Sequence, residues 1–166
     1  MLNKKIKSLA ELKKIRDKLR RSGKKVVFTN GVFDLLHRGH VEYLEKARLL
    51  GDVLILGLNS DASVKTVKGS WKPLVDQEDR ASVLAGLSSV DYVCYFDEET
   101  PYVIISALLP DILVKGGDYQ LDEIVGRDVV EAGGGKVVTI PLTHGKSTTE
   151  VVKRIAKLIR EGKIVA

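Results

Sequence analysis

The sequence predicts a parallel α/β sheet of five strands with helices on both faces. Three observations predict it. Five short runs, Val26 to Phe28, Val53 to Leu58, Tyr92 to Tyr95, Ile112 to Val114 and Val137 to Ile140, are almost continuously apolar, the pattern of strands covered on both sides. Helix signals stand between every consecutive pair of runs. The chemically distinctive side chains, above all the three histidines, fall in the loops that follow strands, where parallel sheets bind their ligands.

The elements follow in order. Ser8-Leu9-Ala10-Glu11 is a capping box, and Leu9, Leu12, Ile15 and Leu19 recur at helical spacing, so a short amphipathic helix with a basic outer face comes first and Gly23 stops it. The first strand leads through a Thr29–Gly39 loop to a helix from about His40 to Leu50, with Gly51 at C′. Asn59-Ser60-Asp61 opens a short helix after the second strand, and Asp76 caps another that runs to about Leu87. Thr100 followed by Pro101 reads as N-cap and N1 of a helix ending at Leu109. A helix near Gly126–Ala132 precedes the fifth strand. The last helix opens at the capping box Ser147-Thr148-Thr149-Glu150 and runs to about Gly162.

Composition narrows the class. The chain has 166 residues, the length of one domain, and no linker, repeat or low-complexity tract divides it, so residues 1–166 read as a single domain with a basic helix, 1–25, packed on or flanking it. Cys94 is the only cysteine, so no internal disulfide can form, and it reads as a small core hydrophobe. The longest apolar run, Tyr102 to Leu109, is far short of the roughly 20 residues of a membrane span. The N-terminus is charged where a signal peptide would be apolar. A cytoplasmic protein with no membrane partner is expected. The net charge of +5 is uneven. Residues 1–25 hold eleven basic side chains against two acids, and the remaining 141 hold 16 against 20. A +9 arm on a −4 body does not describe a general polyanion binder, so no nucleic-acid partner is expected.

The strand-end loops carry the chemistry. His37-Arg38-Gly39-His40 opens a helix, and two imidazoles three residues apart there point the same way. Each can donate an N–H to a phosphate oxygen, beside the free N–H groups of the helix N-terminus, and Gly39 allows close approach. A zinc site would need further ligands, and Cys94 lies in a predicted strand. Histidines incidental to a helix start are the plainer alternative. His144-Gly145-Lys146-Ser147-Thr148-Thr149 offers a glycine, a cation, three hydroxyls and a helix N-terminus. It is not a P-loop, because Ile140 stands where the first glycine would be. A simple capping box would read the same. Lys115-Gly116-Gly117-Asp118 is a phosphate-side loop or a glycine-rich turn. Lys65, Lys68 and Lys72 read as solvated charges. Asp34 could orient an imidazole or cap a turn. Arg80, inside a predicted helix, has a solvated surface role as its default, and Trp71 reads as a loop anchor. No nucleophile stands out, which suggests a reaction whose nucleophile arrives with the substrate.

Thr29-Asn30-Gly31-Val32-Phe33-Asp34-Leu35-Leu36-His37-Arg38-Gly39-His40 resembles the signature of the cytidylyltransferase-like nucleotidyltransferases, and Gly145 to Thr149 resembles their second nucleotide motif. Asn59 to Lys65, Glu78-Asp79-Arg80, Leu113 to Tyr119 and Ile124-Val125-Gly126 extend the similarity, which is strongest to the adenylyltransferase domain of the bifunctional heptose enzymes of lipopolysaccharide synthesis. The resemblance implies a Rossmann-like HxGH nucleotidyltransferase fold. It implies adenylyl transfer from ATP to D-glycero-β-D-manno-heptose 1-phosphate, giving ADP-heptose and pyrophosphate.

By the same resemblance, His37, His40 and Lys68 are catalytic. Thr29, Asn30, Gly31, Phe33, Asp34, Gly39, Arg80, Lys115, Gly116, Asp118, Gly145, Lys146, Ser147, Thr148 and Thr149 bind nucleotide or substrate. Mg²⁺ accompanies ATP and bridges its phosphates, with no protein side chain assigned as a metal ligand. A homodimer, and a separate heptose kinase to supply the sugar phosphate, are also implied. The sequence departs from related cytidylyltransferases at Leu142-Thr143-His144, where they carry an arginine. Cytidylyl transfer to glycerol 3-phosphate or a similar alcohol phosphate is the alternative enzyme. A phosphate- or nucleic-acid-binding module is the alternative of another class.

Overall fold

The computed structural model describes residues 4–117, 120–141 and 147–164. Its strands are β1 (Val26–Gly31), β2 (Val53–Asn59), β3 (Tyr92–Phe96), β4 (Ile112–Gly116) and β5 (Lys136–Ile140), all parallel, in the spatial order β3-β2-β1-β4-β5. The helices are α1 (Leu9–Arg21), α2 (Arg38–Arg48), α3 (Asp61–Lys68), α4 (Gln77–Gly86), α5 (Tyr102–Leu108), α6 (Arg127–Ala132) and α7 (Thr148–Arg160). A short 3₁₀ turn, Leu121–Glu123, adds an element not expected from the sequence.

Each face of the sheet carries an apolar layer. Leu44, Ala47, Leu84 and Ala85 of α2 and α4 pack on one side with Val27, Leu54 and Leu56. Leu12, Ile104, Ile105 and Val130 of α1, α5 and α6 pack on the other with Phe28, Ile55 and Leu113. Cys94 is buried in this second layer, and desolvation pushes its thiol up to about 11, so it is inert at neutral pH. The N-terminal segment is also tied in. The Lys7 N–H donates to the Val93 carbonyl at 2.8 Å, and the Val93 N–H donates to the Lys5 carbonyl at 3.0 Å, alongside the free edge of β3.

Three local expectations change. Gly51 is not a left-handed C′ residue. Helix α2 ends at Arg48 with Leu49 as its cap, and Gly51 is required for space, since a Cβ there would meet Val27 Cγ2 at 2.7 Å and the Lys25 carbonyl at 2.9 Å. Pro101 itself occupies the cap of α5, without a side-chain cap bond from Thr100. The basic face of α1 is not wholly solvated. Arg16 is only 3% exposed, and its guanidinium donates to the Leu108 and Leu109 carbonyls at the C-terminus of α5 and to Asp111 Oδ1 at 3.0 Å. A cation suits that negative end of the helix dipole.

The chain order reverses between β1 and β4, which places a crevice above their carboxyl ends. Asn30 and Gly31 end β1 there, and Gly116 ends β4.

Candidate active site

Two connected hollows occupy that crevice. The smaller, about 270 Å³, is lined by Gly31, His37, Gly39, His40, Ser147 and Thr148, among others. The larger, about 730 Å³, shares Asn30, Gly31, Phe33, His40, Gly116 and Thr148 and extends over β2 to Asn59, Lys68, Trp71 and Glu99. His40 stands on the boundary between them.

The imidazoles are stacked. The rings of His37 and His40 lie 3.9 Å apart between centroids at 24°, and Phe33 packs on His40 at 5.3 Å. Phe33 adopts φ of 48°, a left-handed conformation uncommon for a non-glycine residue, and its buried ring supports the stack. The backbone N–H of His37 donates to Nδ1 of His40 at 3.4 Å, so the proton of neutral His40 sits on Nε2. Burial chiefly, and the neighbouring His37 secondarily, push His40 down to about 4. It is therefore a neutral donor at physiological pH.

Helix α7 brings the second predicted motif onto the first. Ser147 caps it by accepting the Glu150 N–H at 3.2 Å, and Thr148 Oγ1 donates to the Leu35 carbonyl at 3.4 Å. The N-terminus of α7, with Ser147 and Thr148, thus faces the histidine pair across the smaller hollow, and Thr149 lines the larger. His144, Gly145 and Lys146 lie outside the described residues, as does Asp118.

Lys115 lines the larger hollow, where its Nζ donates to Asn30 Oδ1. Desolvation pushes its ammonium down to about 8. The fold thus disfavours its charged form, and the cation persists below about pH 8 and is lost above it. If this cation serves the substrate, kcat/KM falls as pH rises through about 8, and Lys115→Arg, which stays charged, removes that limb. A pH–rate profile of both proteins tests this. An alkaline limb kept unchanged in the arginine variant counts against the role.

The crevice also differs from expectation. Arg80 is neither a solvated side chain nor a lining residue. It is 1% exposed and donates to the carbonyls of Val75 (2.9 Å), Val32 (2.6 Å) and Asn59 (3.0 Å) and to Asp61 Oδ1 (2.7 Å). Thr29 is buried beneath the floor, 2.6 Å from the Tyr43 hydroxyl, and lines neither hollow. Asp34 does not orient an imidazole. Its carboxylate accepts from Lys72 Nζ at 2.9 Å and from the N–H groups of Leu74 and Val75 at 2.9 and 3.0 Å, so it holds the 72–75 loop. Lys72, expected to be solvated, is largely buried in that ion pair. Lys68 is exposed at the rim.

Tyr43, Asn59 and Glu99 line the crevice and were not assigned to the site from the sequence. Asn59 ends β2 and Glu99 follows β3, so their strand-end positions were the available signal. Among the described residues no group of three or more His, Cys, Asp or Glu side chains could hold a metal ion. Asp34, the carboxylate of the histidine loop, is already paired with Lys72.

Stacked imidazoles, a helix N-terminus and a lysine surround one crevice of a doubly wound sheet, and the family match identifies the chain as a nucleotidyltransferase. The chain belongs to the cytidylyltransferase-like family, whose model matches residues 28–154. It is 54% identical over 158 residues to the bifunctional protein HldE of Syntrophotalea carbinolica, covering 95% of this chain and 32% of that protein. Against the HldE of Geobacter sulfurreducens it is 54% identical over 157 residues, again 95% of this chain and 32% of the other. The chain therefore spans about a third of the length of these curated relatives. Among solved structures, a lipopolysaccharide core biosynthesis protein from Thermoplasma volcanium superposes with a TM-score of 0.59 at 29% identity, over 73% of this chain and 98% of that one. Pantoate-beta-alanine ligase from Francisella tularensis, complexed with beta-gamma ATP and beta-alanine, has a TM-score of 0.61 at 17% identity, over 93% of this chain and 78% of that one, and shares the fold.

Proposed function

We propose that this nucleotidyltransferase moves an adenylyl group from ATP to D-glycero-β-D-manno-heptose 1-phosphate, releasing pyrophosphate and forming ADP-heptose. The observation that carries the reading is the His37–His40 stack at the junction of two hollows, facing the N-terminus of α7. Similarity to the HldE proteins supports the choice of sugar and nucleotide.

The sugar phosphate is already anionic at neutral pH, so no strong base is needed. Its oxygen attacks the α-phosphorus in line, the new P–O bond forms as the α–β bridging bond breaks, and pyrophosphate leaves with that electron pair. Catalysis then consists of positioning two anions and stabilising developing charge. His40 Nε2–H donates to the α-phosphoryl oxygen or the bridging oxygen as charge grows there, and His37 stands beside it. Ser147, Thr148 and the free N–H groups of α7 hold the β- and γ-phosphates. Lys115 and Lys68 draw in the acceptor phosphate. Mg²⁺ carried on the ATP substrate would neutralise part of the phosphate charge. Gly145, Lys146 and Asp118 belong to the same reading through their motifs.

Arg80, Asp34 and Thr29 act in this scheme by holding the loops and floor. A homodimer, a cytoplasmic location and a partner kinase that makes the sugar 1-phosphate complete the proposal. Among the described residues no helix is long and apolar enough to cross a membrane.

The test is a substrate panel. ATP or CTP with Mg²⁺ is paired with heptose 1-phosphate, other sugar 1-phosphates or glycerol 3-phosphate, and pyrophosphate is measured. Release is expected with ATP and heptose 1-phosphate at a kcat/KM at least tenfold above any other pair. Release with CTP and not ATP would overturn the adenylyl assignment.

A further inference from the structure

The larger hollow carries chemistry that phosphates do not use. Lys68 and Lys115 supply cations that are not paired to a carboxylate among the described residues and Lys72 is paired with Asp34, but Trp71, Val67 and Glu99 line it as well. An indole offers a phosphate little, and a carboxylate repels it. Together they suit a polyhydroxylated ring, whose C–H face packs on the aromatic surface while its hydroxyls donate to the carboxylate.

Local contacts tie down the segments that carry both groups. Lys72 Nζ lies 4.8 Å from the centroid of the Trp71 ring, and that ammonium is paired with Asp34 at 2.9 Å. The ring is thereby coupled to the loop that carries the histidines, although it remains 65% exposed. Ser63 Oγ donates to the Glu98 carbonyl at 2.7 Å, which anchors the turn before Glu99 to α3.

In-line transfer decides which substrate lies there. The departing pyrophosphate is held at the N-terminus of α7, so the attacking oxygen must come from the opposite side of the α-phosphorus. Trp71 and Glu99 line only the larger hollow, whereas His37 and Ser147, the cap of α7, line only the smaller one.

We infer that Trp71 and Glu99 form the acceptor-sugar subsite, Trp71 covering the apolar face of the sugar and Glu99 accepting from its hydroxyls. This rests on the transfer reaction proposed above. Trp71 is the only tryptophan of the chain, so its emission reports the subsite directly.

The enzyme is first saturated with a non-hydrolysable α,β-methylene analogue of ATP. Adding heptose 1-phosphate is then expected to shift or quench the emission, while the analogue alone leaves it nearly unchanged. In steady state, Trp71→Leu and Glu99→Gln each raise KM for the sugar phosphate about tenfold. KM for ATP and kcat stay within twofold, and the melting temperature stays within 2 °C. If the wild type releases pyrophosphate but neither emission nor sugar KM responds, the subsite is wrong and the reaction stands. A rise in ATP KM instead would place the adenine on Trp71 and overturn the assignment. No pyrophosphate from the wild type with heptose 1-phosphate would overturn the reaction, and this subsite with it.

Discussion

His40→Ala is expected to lower kcat by about 10²–10³-fold, the usual effect of deleting one preorganised donor to developing charge. The donor is preorganised because its ring is clamped. His37 stacks on one side at 3.9 Å, Phe33 packs at 5.3 Å, and Nδ1 already accepts the His37 N–H. Only Nε2 is left to donate. KM for ATP should change by no more than a few-fold, since the bond strengthens as the α–β bridge breaks. His40→Asn keeps an N–H and should recover about a tenth of the wild-type rate. The pH profile supplies a second check. His40 is pushed down to about 4, so the neutral donor form is present above that value and lost as pH falls through it. The limb near 6.5 that an ordinary histidine would give should not arise from this residue. Rapid-quench measurement of the alanine variant settles the matter, and a kcat within fivefold of wild type would remove His40 from the chemistry.

The strands were legible because a parallel sheet covered on both faces needs apolar side chains at nearly every position, and the runs from Val26, Val53, Tyr92, Ile112 and Val137 supply them. Three caps were legible for a similar local reason. Ser8, Asp76 and Ser147 each accept the N–H three residues on, a contact fixed by spacing alone. What could not be read was which polar groups the fold would consume. Asp34 and Lys72 are 38 residues apart, and nothing local indicates that one neutralises the other. Arg16 sits in a basic stretch among lysines, and only the approach of the α5 terminus, more than 90 residues away, buries it. Gly51 was legible as a glycine with a structural reason, but the reason lay in contact with Lys25 and Val27 of the preceding strand region and not in its own backbone angles.

That distinction organises the crevice itself. Among the described residues, those named from the motifs fall into two groups. His37, Gly39, His40, Lys115, Gly116, Ser147, Thr148 and Thr149 line it, as do Asn30, Gly31 and Phe33. Thr29 and Arg80 lie behind it, while Asp34 reaches its wall with its carboxylate already occupied. A short sequence motif therefore combines groups that meet substrate with groups that hold the first set still.

The largest stability effect should come from one of the supporting groups. Arg80→Met is expected to destabilise the fold by about 3–5 kcal/mol, the range for removing one partner of a buried ion pair. The guanidinium joins four pieces of chain. It meets Val32 after β1, Asn59 at the end of β2, Asp61 at the start of α3 and Val75 before α4. Methionine fills much of the volume but leaves three carbonyls and a carboxylate without that donor, so the loss comes from unsatisfied polar groups and not from a cavity. For a chain of this size the melting temperature should fall by about 10 °C. Arg80→Lys should lie between, because a single ammonium cannot reproduce the fork. Saturating ATP separates support from direct contact. If Arg80 only holds the loops, ATP raises the melting temperature of the folded variant as much as that of the wild type. A variant that melts within 2 °C of wild type but gains nothing from ATP would make Arg80 a nucleotide ligand instead.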